Sequence, residues 1–221
     1  MMRSSLYDFD LNNVRDAIEK TFHSDALIQL SFPFETLPGG PDGLYNGVFV
    51  PLSVAIPDLE RRDTILMSGT TDSGKQWVGC CGYYTGTFTK PWLNINPTGH
   101  QISLRFHEFY RVELGQIVEM QAIWDIPELM MQANAWPMVP SLGREWHVPG
   151  PATQDGIIST IRDDTRSNQS LKIVSDMCAS LANFSTGGAD AMALDDYWHP
   201  RCNWYGPVSY THLRAHETPS N

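Results

Sequence analysis

The chain has 221 residues, 42% of them apolar and 11% aromatic, with a formal net charge of -10. That length accommodates one or two domains with ample apolar material for a core. The acidic residues are spread along the chain and no Lys/Arg cluster could neutralise a phosphate backbone, which argues against nucleic acid or an anionic membrane surface as a partner.

The apolar runs fall well short of the roughly 20 residues that span a bilayer, and Met1-Met2-Arg3-Ser4-Ser5 does not lead into the apolar stretch of a secretory leader. A cytoplasmic location is expected. Val14, Ala17, Ile18, Thr21 and Phe22 follow helical spacing, with Asp10 or Asn12 as the cap. Ala26 to Phe32 is a short β-like run closed by Pro38-Gly39-Gly40-Pro41, and Asp42 to Ile56 reads as a helix interrupted near Pro51. Asp63 to Thr70 and Lys75 to Phe88 predict a hairpin around Asp72-Ser73-Gly74. A second hairpin, His100 to Val112 and Gln116 to Asp125, turns at Leu114-Gly115, and Pro127 suits the first turn of a closing helix.

Helices first and antiparallel strands after predict an α+β domain over 1–135. A Pro/Gly-rich linker, 136–166, leads to a new amphipathic helix around Gln169 to Leu181. Trp198-His199 then echoes Phe22-His23, an aromatic-His pair leaving a helix and entering a strand, so 167–207 reads as the truncated start of a second copy. The last residues, 208–221, look like a translated sequencing-library adapter; His212, Arg214, His216 and Glu217 are set aside with them, and the natural frame is expected to continue past Pro207.

Cys80, Cys81, Cys178 and Cys202 have no zinc-finger spacing, and the adjacent pair points to opposite faces of a strand, so reduced thiols are expected. No glycine-rich phosphate loop follows a strand; Asp72-Ser73-Gly74-Lys75 lacks the upstream glycine and reads as a turn. Neither a metal nor an organic cofactor is expected.

If Leu114-Gly115 are the central residues of the turn, simple register sets Tyr110 opposite Glu119, Glu108 opposite Gln121, Phe106 opposite Ile123 and Leu104 opposite Asp125. One face then gathers Leu104, Phe106, Glu108, Tyr110, Gln121, Ile123 and Asp125, an apolar wall with a few polar groups as a small-molecule pocket requires. A single β-bulge would swap the faces on one strand. Burial would raise the Asp125 pKa toward the range useful for proton exchange. Three roles fit this residue: acid/base, N-cap for the helix that Pro127 opens, and ligand anchor. One of Tyr83 and Tyr84 should face the pocket, and Tyr84 is taken as that residue. His107, on the other face, and His23, at a helix-strand corner, are weaker candidates.

An ordered series of short motifs resembles the SnoaL-like polyketide cyclases of the nuclear transport factor 2-like superfamily: Ile56-Pro57-Asp58-Leu59, Gly86-Thr87-Phe88, Ile95-Asn96-Pro97-Thr98-Gly99, Phe109-Tyr110-Arg111-Val112, Gly115-Gln116-Ile117-Val118-Glu119 and Trp124-Asp125. The resemblance implies a curved antiparallel sheet wrapped by helices into a cone around an apolar pocket, commonly dimeric. In catalytic members a pocket carboxylate is the acid/base for an intramolecular aldol ring closure, the role this places on Asp125. Family members often carry a histidine where this chain has Phe88. The expected partner is a small, largely apolar carbonyl compound, either turned over or held without turnover, with a homodimer or pairing to the second domain as possible assemblies. An assembly role for an exposed sheet face around Phe109, Met120 and Trp124 is the third possibility.

Overall fold

Asp10 opens the first helix, α1 (Leu11–Thr21), by accepting from the Asn13 amide at 3.0 Å, which satisfies one of the donors that a helix start leaves bare. Val14, Ala17 and Ile18 form its buried stripe. Asp10→Ala is expected to cost about 1 kcal/mol of stability, seen as a lower urea midpoint at unchanged slope.

This computed structural model describes residues 6–138, 147–157, 161, 163–203 and 205–206; the adapter-like segment 208–221 lies outside them, as do Trp204 and Pro207. After α1 comes β1 (Phe22–Leu30), starting four residues earlier than the apolar run of the sequence suggests. The helical stretch that follows divides into α2 (Gly40–Leu44), a π-helical turn (Tyr45–Phe49) and α3 (Val50–Ala55). Pro51 is the reason for the break: it has no amide to donate one turn back, and it sits in the first turn of α3, where none is needed.

Four strands complete the sheet: β2 (Glu60–Thr70), β3 (Gln76–Thr87), β4 (Gln101–Glu113) and β5 (Gln116–Trp124), followed by α4 (Ile126–Gln132). Their order is β1-β5-β4-β3-β2, with β1 parallel to β5 and the other pairs antiparallel. The result is a curved open sheet of α+β class whose inner face, with Ile28, Leu104, Phe106, Tyr84 and Trp124, packs on Val14, Leu44, Phe49 and Leu52 of the helices.

The two outer hairpins are bent by bulges. On β5 the pairing runs Val112 to Ile117 and then Arg111 to Glu119, so Val118 is the extra residue. On β2 it runs Asp63 to Gly82 and then Ile65 to Cys81, so Thr64 is extra. Each bulge adds twist and shifts every later side chain on its strand to the other face. Gly82 is required beside the second: a Cβ there would lie 1.9 Å from the Arg62 carbonyl oxygen.

The described residues divide into two compact units, 6–157 with 205–206, and 161–203. In the first, part of the linker read from the sequence lies against the sheet: the Leu66 amide donates to Gly156 O at 2.8 Å, and the His147 ring lies tilted against Tyr83 with ring centres 4.4 Å apart. In the second, α5 (Asp164–Leu181) starts with Asp163 accepting from the Arg166 amide at 3.1 Å and buries none of its residues. The strand expected after His199 is absent among the described residues, which form turns there; a strand needs a neighbour for its backbone groups. No helix among the described residues is long and apolar enough to cross a membrane.

Candidate functional site

Arg61 and Asp63 stand two apart on β2, so they share a face, and the sheet brings Tyr84 and Cys80 of β3 and Glu108 and Tyr110 of β4 beside them. Glu108 has no solvent exposure and Arg61 is 4% exposed. A carboxylate so placed survives only if its oxygens are hydrogen-bonded, and here four groups donate to it. Arg61 Nη1 at 2.6 Å and the Tyr110 hydroxyl at 2.5 Å reach Oε2; Trp124 Nε1 at 2.8 Å and the Tyr84 hydroxyl at 3.2 Å reach Oε1.

Arg61 is equally engaged. Its Nε and Nη2 face Asp63 Oδ1 at 3.1 and 3.0 Å, Nη1 also donates to the Tyr84 hydroxyl at 2.8 Å, and Nη2 contacts Cys80 Sγ at 3.2 Å. The guanidinium lies 4.0 Å from the centre of the Phe106 ring, a cation-π contact that adds to its support. Burial works against the Arg61 charge, yet Glu108 holds the guanidinium protonated well above its ordinary range. Burial, with Glu108 adding to it, raises the Tyr110 phenol, and burial raises the Cys80 thiol, so both stay protonated.

Four members of this cluster, Arg61, Asp63, Cys80 and Tyr110, line a cavity of about 180 Å³ together with Leu6, Leu66, Val78, Val112 and Ile117, while Glu108 lies behind that wall. Its walls are otherwise apolar, the composition expected of a small-molecule site. Among the described residues no group of three or more His, Cys, Asp or Glu could hold a metal ion.

The residues singled out from sequence divide at the β5 bulge. Leu104, Phe106, Glu108, Tyr110 and Tyr84 face inward, and Glu108 with Tyr110 belongs to the cluster. Gln121 and Ile123 do not: the bulge turns them outward, where Ile123 is 48% exposed, and puts Met120, Ala122 and Trp124 inside in their place. The same shift corrects the exposed patch expected around Phe109, Met120 and Trp124, of which only Phe109 is exposed.

Asp125 is buried at the end of β5 and caps α4, its Oδ1 accepting from the Glu128 amide at 3.2 Å while its own amide donates to Arg105 O. The cavity lining does not include it. Around it on the outer side stand Arg105 and Glu128, whose Nη2 and Oε1 are 3.4 Å apart. His107 is on that side too, its ring held neutral by burial. His23 is exposed and accepts from the Asp25 amide through Nδ1 at 3.2 Å. Phe88 is fully buried in the core.

Arg61 and Asp63 were missed by sequence reasoning. The available signal was a pair of opposite charges at strand spacing beside Leu59 and Ile65, where a solvated edge would be the ordinary reading.

Comparison with known proteins agrees with this architecture. The family model for SnoaL-like polyketide cyclase matches residues 6–133. Among solved structures, AclR from Streptomyces galilaeus is similar at 19% identity and a TM-score of 0.51, over 63% of this chain and 83% of that one. IdmH from Streptomyces antibioticus is similar at 20% identity with a TM-score of 0.47, over 60% and 93% of the two chains. A SnoaL-like protein from Jannaschia sp. CCS1 is similar at 18% identity with a TM-score of 0.48, over 62% and 88%. No curated protein matches the chain. With a sheet of this order wrapped by N-terminal helices, and a family match running from Leu6 through α4, the chain belongs to the SnoaL-like polyketide cyclase family.

Proposed function

We propose that the cavity binds a small, largely apolar carbonyl compound and that Asp63 exchanges a proton with it, giving ring closure or isomerisation. The observation that carries this reading is a carboxylate on the wall of an otherwise apolar cavity, beside a buried guanidinium. Asp63 removes a proton from the carbon next to a carbonyl. The resulting enolate carbon attacks a second carbonyl of the same molecule, and the new alkoxide takes the proton back; in an isomerisation the proton returns to a different carbon. Arg61, fixed by its partners, supplies positive potential for the enolate without having to reorient. Asp125, the acid/base suggested by the unbulged register, is given the capping role instead.

Sequestration without turnover is the second reading. It is favoured by one observation: each Arg61 nitrogen already faces an acceptor, so none stands open to a developing oxyanion.

The test follows 2,6-heptanedione by absorbance as ring closure gives 3-hydroxy-3-methylcyclohexanone and loss of water from that product gives 3-methylcyclohex-2-enone. Asp63→Asn is expected to slow an enzyme-dependent rate by ~100-fold or more, the contribution typical of a positioned acid/base. Asp125→Asn, which keeps a good cap residue, is expected to leave it unchanged. An unaffected rate in the Asp63 variant would sink the assignment; binding of the dione without acceleration by the wild type would favour sequestration.

A further inference from the structure

We infer that the segment Leu6–Phe9, which precedes α1, is a gate on the cavity, with Phe9 as its pivot, Leu6 as its plug and the contact of Tyr7 with Arg62 as the latch that holds it shut. The inference concerns access to the site and rests on the reading of the cavity as the ligand site. The cavity is open to solvent over part of its boundary, and its wall residues Leu66, Val78, Val112 and Ile117 are only partly covered. Among the described residues of the lining, Leu6 alone is not on a strand. It is 1% exposed, so its side chain gains by staying over the apolar wall.

The latch lies in solvent. Arg62 follows Arg61 on β2 and so points to the opposite face of the sheet. Glu60 Oε2 accepts from its Nε at 2.9 Å and from its Nη2, which aims Nη1 at the Tyr7 hydroxyl while the guanidinium lies 4.3 Å from the centre of the Tyr7 ring. Tyr7 is 46% exposed. Hydrogen bonds and cation-π contacts are individually weak at such sites, so the latch closes the segment without sealing it.

The pivot carries the strain. Phe9 has a φ of 42°, in the left-handed region that a bulky L-residue rarely adopts, and strained backbone of this kind gathers at clamps and switch segments. Its ring is anchored edge-on to Phe49 and Tyr84, with centres 5.4 and 6.1 Å away. The next residue, Asp10, caps α1. A swing about Phe9 therefore lifts Leu6 from the wall while α1 and the sheet stay in place.

The probe is prodan, an uncharged naphthyl ketone whose emission shifts to the blue in apolar surroundings, mixed with the full chain by stopped flow. Val78→Trp and Ile117→Trp, either of which fills the cavity, are each expected to abolish its binding in a chain whose circular dichroism is unchanged. Tyr7→Ala and Arg62→Gln are each expected to raise both the association and the dissociation rate by ~10-fold, because the latch is made whether the cavity is empty or filled. A lock should act in the opposite sense. With Cys81, Cys178 and Cys202 replaced by Ser, Tyr7→Cys/Arg62→Cys is joined by a short bis-methanethiosulfonate; entry of prodan is expected to slow by at least the same factor and to recover on reduction. If prodan binding depends on the cavity but its rates ignore the latch variants and the cross-link, the gate falls and the cavity remains the ligand site. If prodan does not bind, or binds regardless of both filling variants, the gate and the reading beneath it fall together.

Discussion

Glu108→Ala is expected to lower the free energy of unfolding by about 3–5 kcal/mol, the cost of removing one partner from a buried ion pair. The loss has three physical parts. Arg61 keeps Asp63 as its counter-charge but loses its 2.6 Å contact with Glu108 while only 4% exposed, so a desolvated N–H group is left with the Tyr84 hydroxyl alone. The Tyr84, Tyr110 and Trp124 donors that converge on the carboxylate lose their acceptor together, and buried donors without partners are costly. A void opens beside Phe106, where side chains cannot fully collapse. The measurement is urea denaturation followed by far-UV circular dichroism, with the midpoint falling at constant slope. Neutralising all three charges at once in Arg61→Met/Asp63→Asn/Glu108→Gln is expected to recover more than half of the loss, because no charge is left buried without its partner and an oxygen at position 108 still accepts from the converging donors. A single-variant loss below about 1 kcal/mol, the size of one ordinary hydrogen bond, would mean that water reaches Glu108 and that the cluster is not the closed network described above.

The architecture was legible because helical and strand periodicities are local. The apolar stripe of α1, the hairpin turns at Asp72-Ser73-Gly74 and Leu114-Gly115, and the proline opening α4 each announce themselves within a few residues. The inner face of β4 was legible for the same reason, and Glu108 could be placed among Phe106, Leu104 and Tyr110 from alternation alone. What alternation does not carry is the single extra residue at Val118. Its cause is the curvature that closes the sheet around the helices, a tertiary requirement with no mark on the segment Gln116 to Asp125. That one residue exchanges Gln121 and Ile123 for Ala122 and Trp124 on the inner face and leaves Asp125 outside the cavity lining. The ion-pair network was hidden for a related reason: Arg61 and Glu108 are far apart in the chain, and only the pairing of β2, β3 and β4 makes them neighbours. The second-copy reading of 167–207 depends in part on Trp204 and Pro207, which lie outside the described residues.

The region around Asp125 leads to a second large expectation, concerning pH. Glu128 is fully buried in the first turn of α4, and burial pushes its carboxyl up to about 8, outweighing the attraction of Arg105. The geometry explains why Arg105 loses. Its side-chain contact with Glu128 is 3.4 Å long, Asp125 adds negative charge beside the pair, and neither Glu128 Oε2 nor Arg105 Nε finds a hydrogen-bond partner among the described residues. In the unfolded chain the same group titrates near 4.3. Between these values the folded protein binds the extra proton, so the stabilisation is fully present below the unfolded value, declines as pH rises, and is gone once pH passes the folded value. The slope is on the order of 1 kcal/mol per pH unit across that window. Glu128→Gln is expected to remove it. His107 and His147, both held neutral by burial, act in the opposite sense, costing stability as acid charges them, so the informative quantity is the difference between wild type and variant at each pH. That difference should move in the variant's favour from about pH 5 to about pH 8. A difference that stays flat, or that shifts toward the wild type as pH rises, would mean that Arg105 keeps the carboxylate ionised in the folded chain, and that the pair beside Asp125 is an ordinary buried salt bridge.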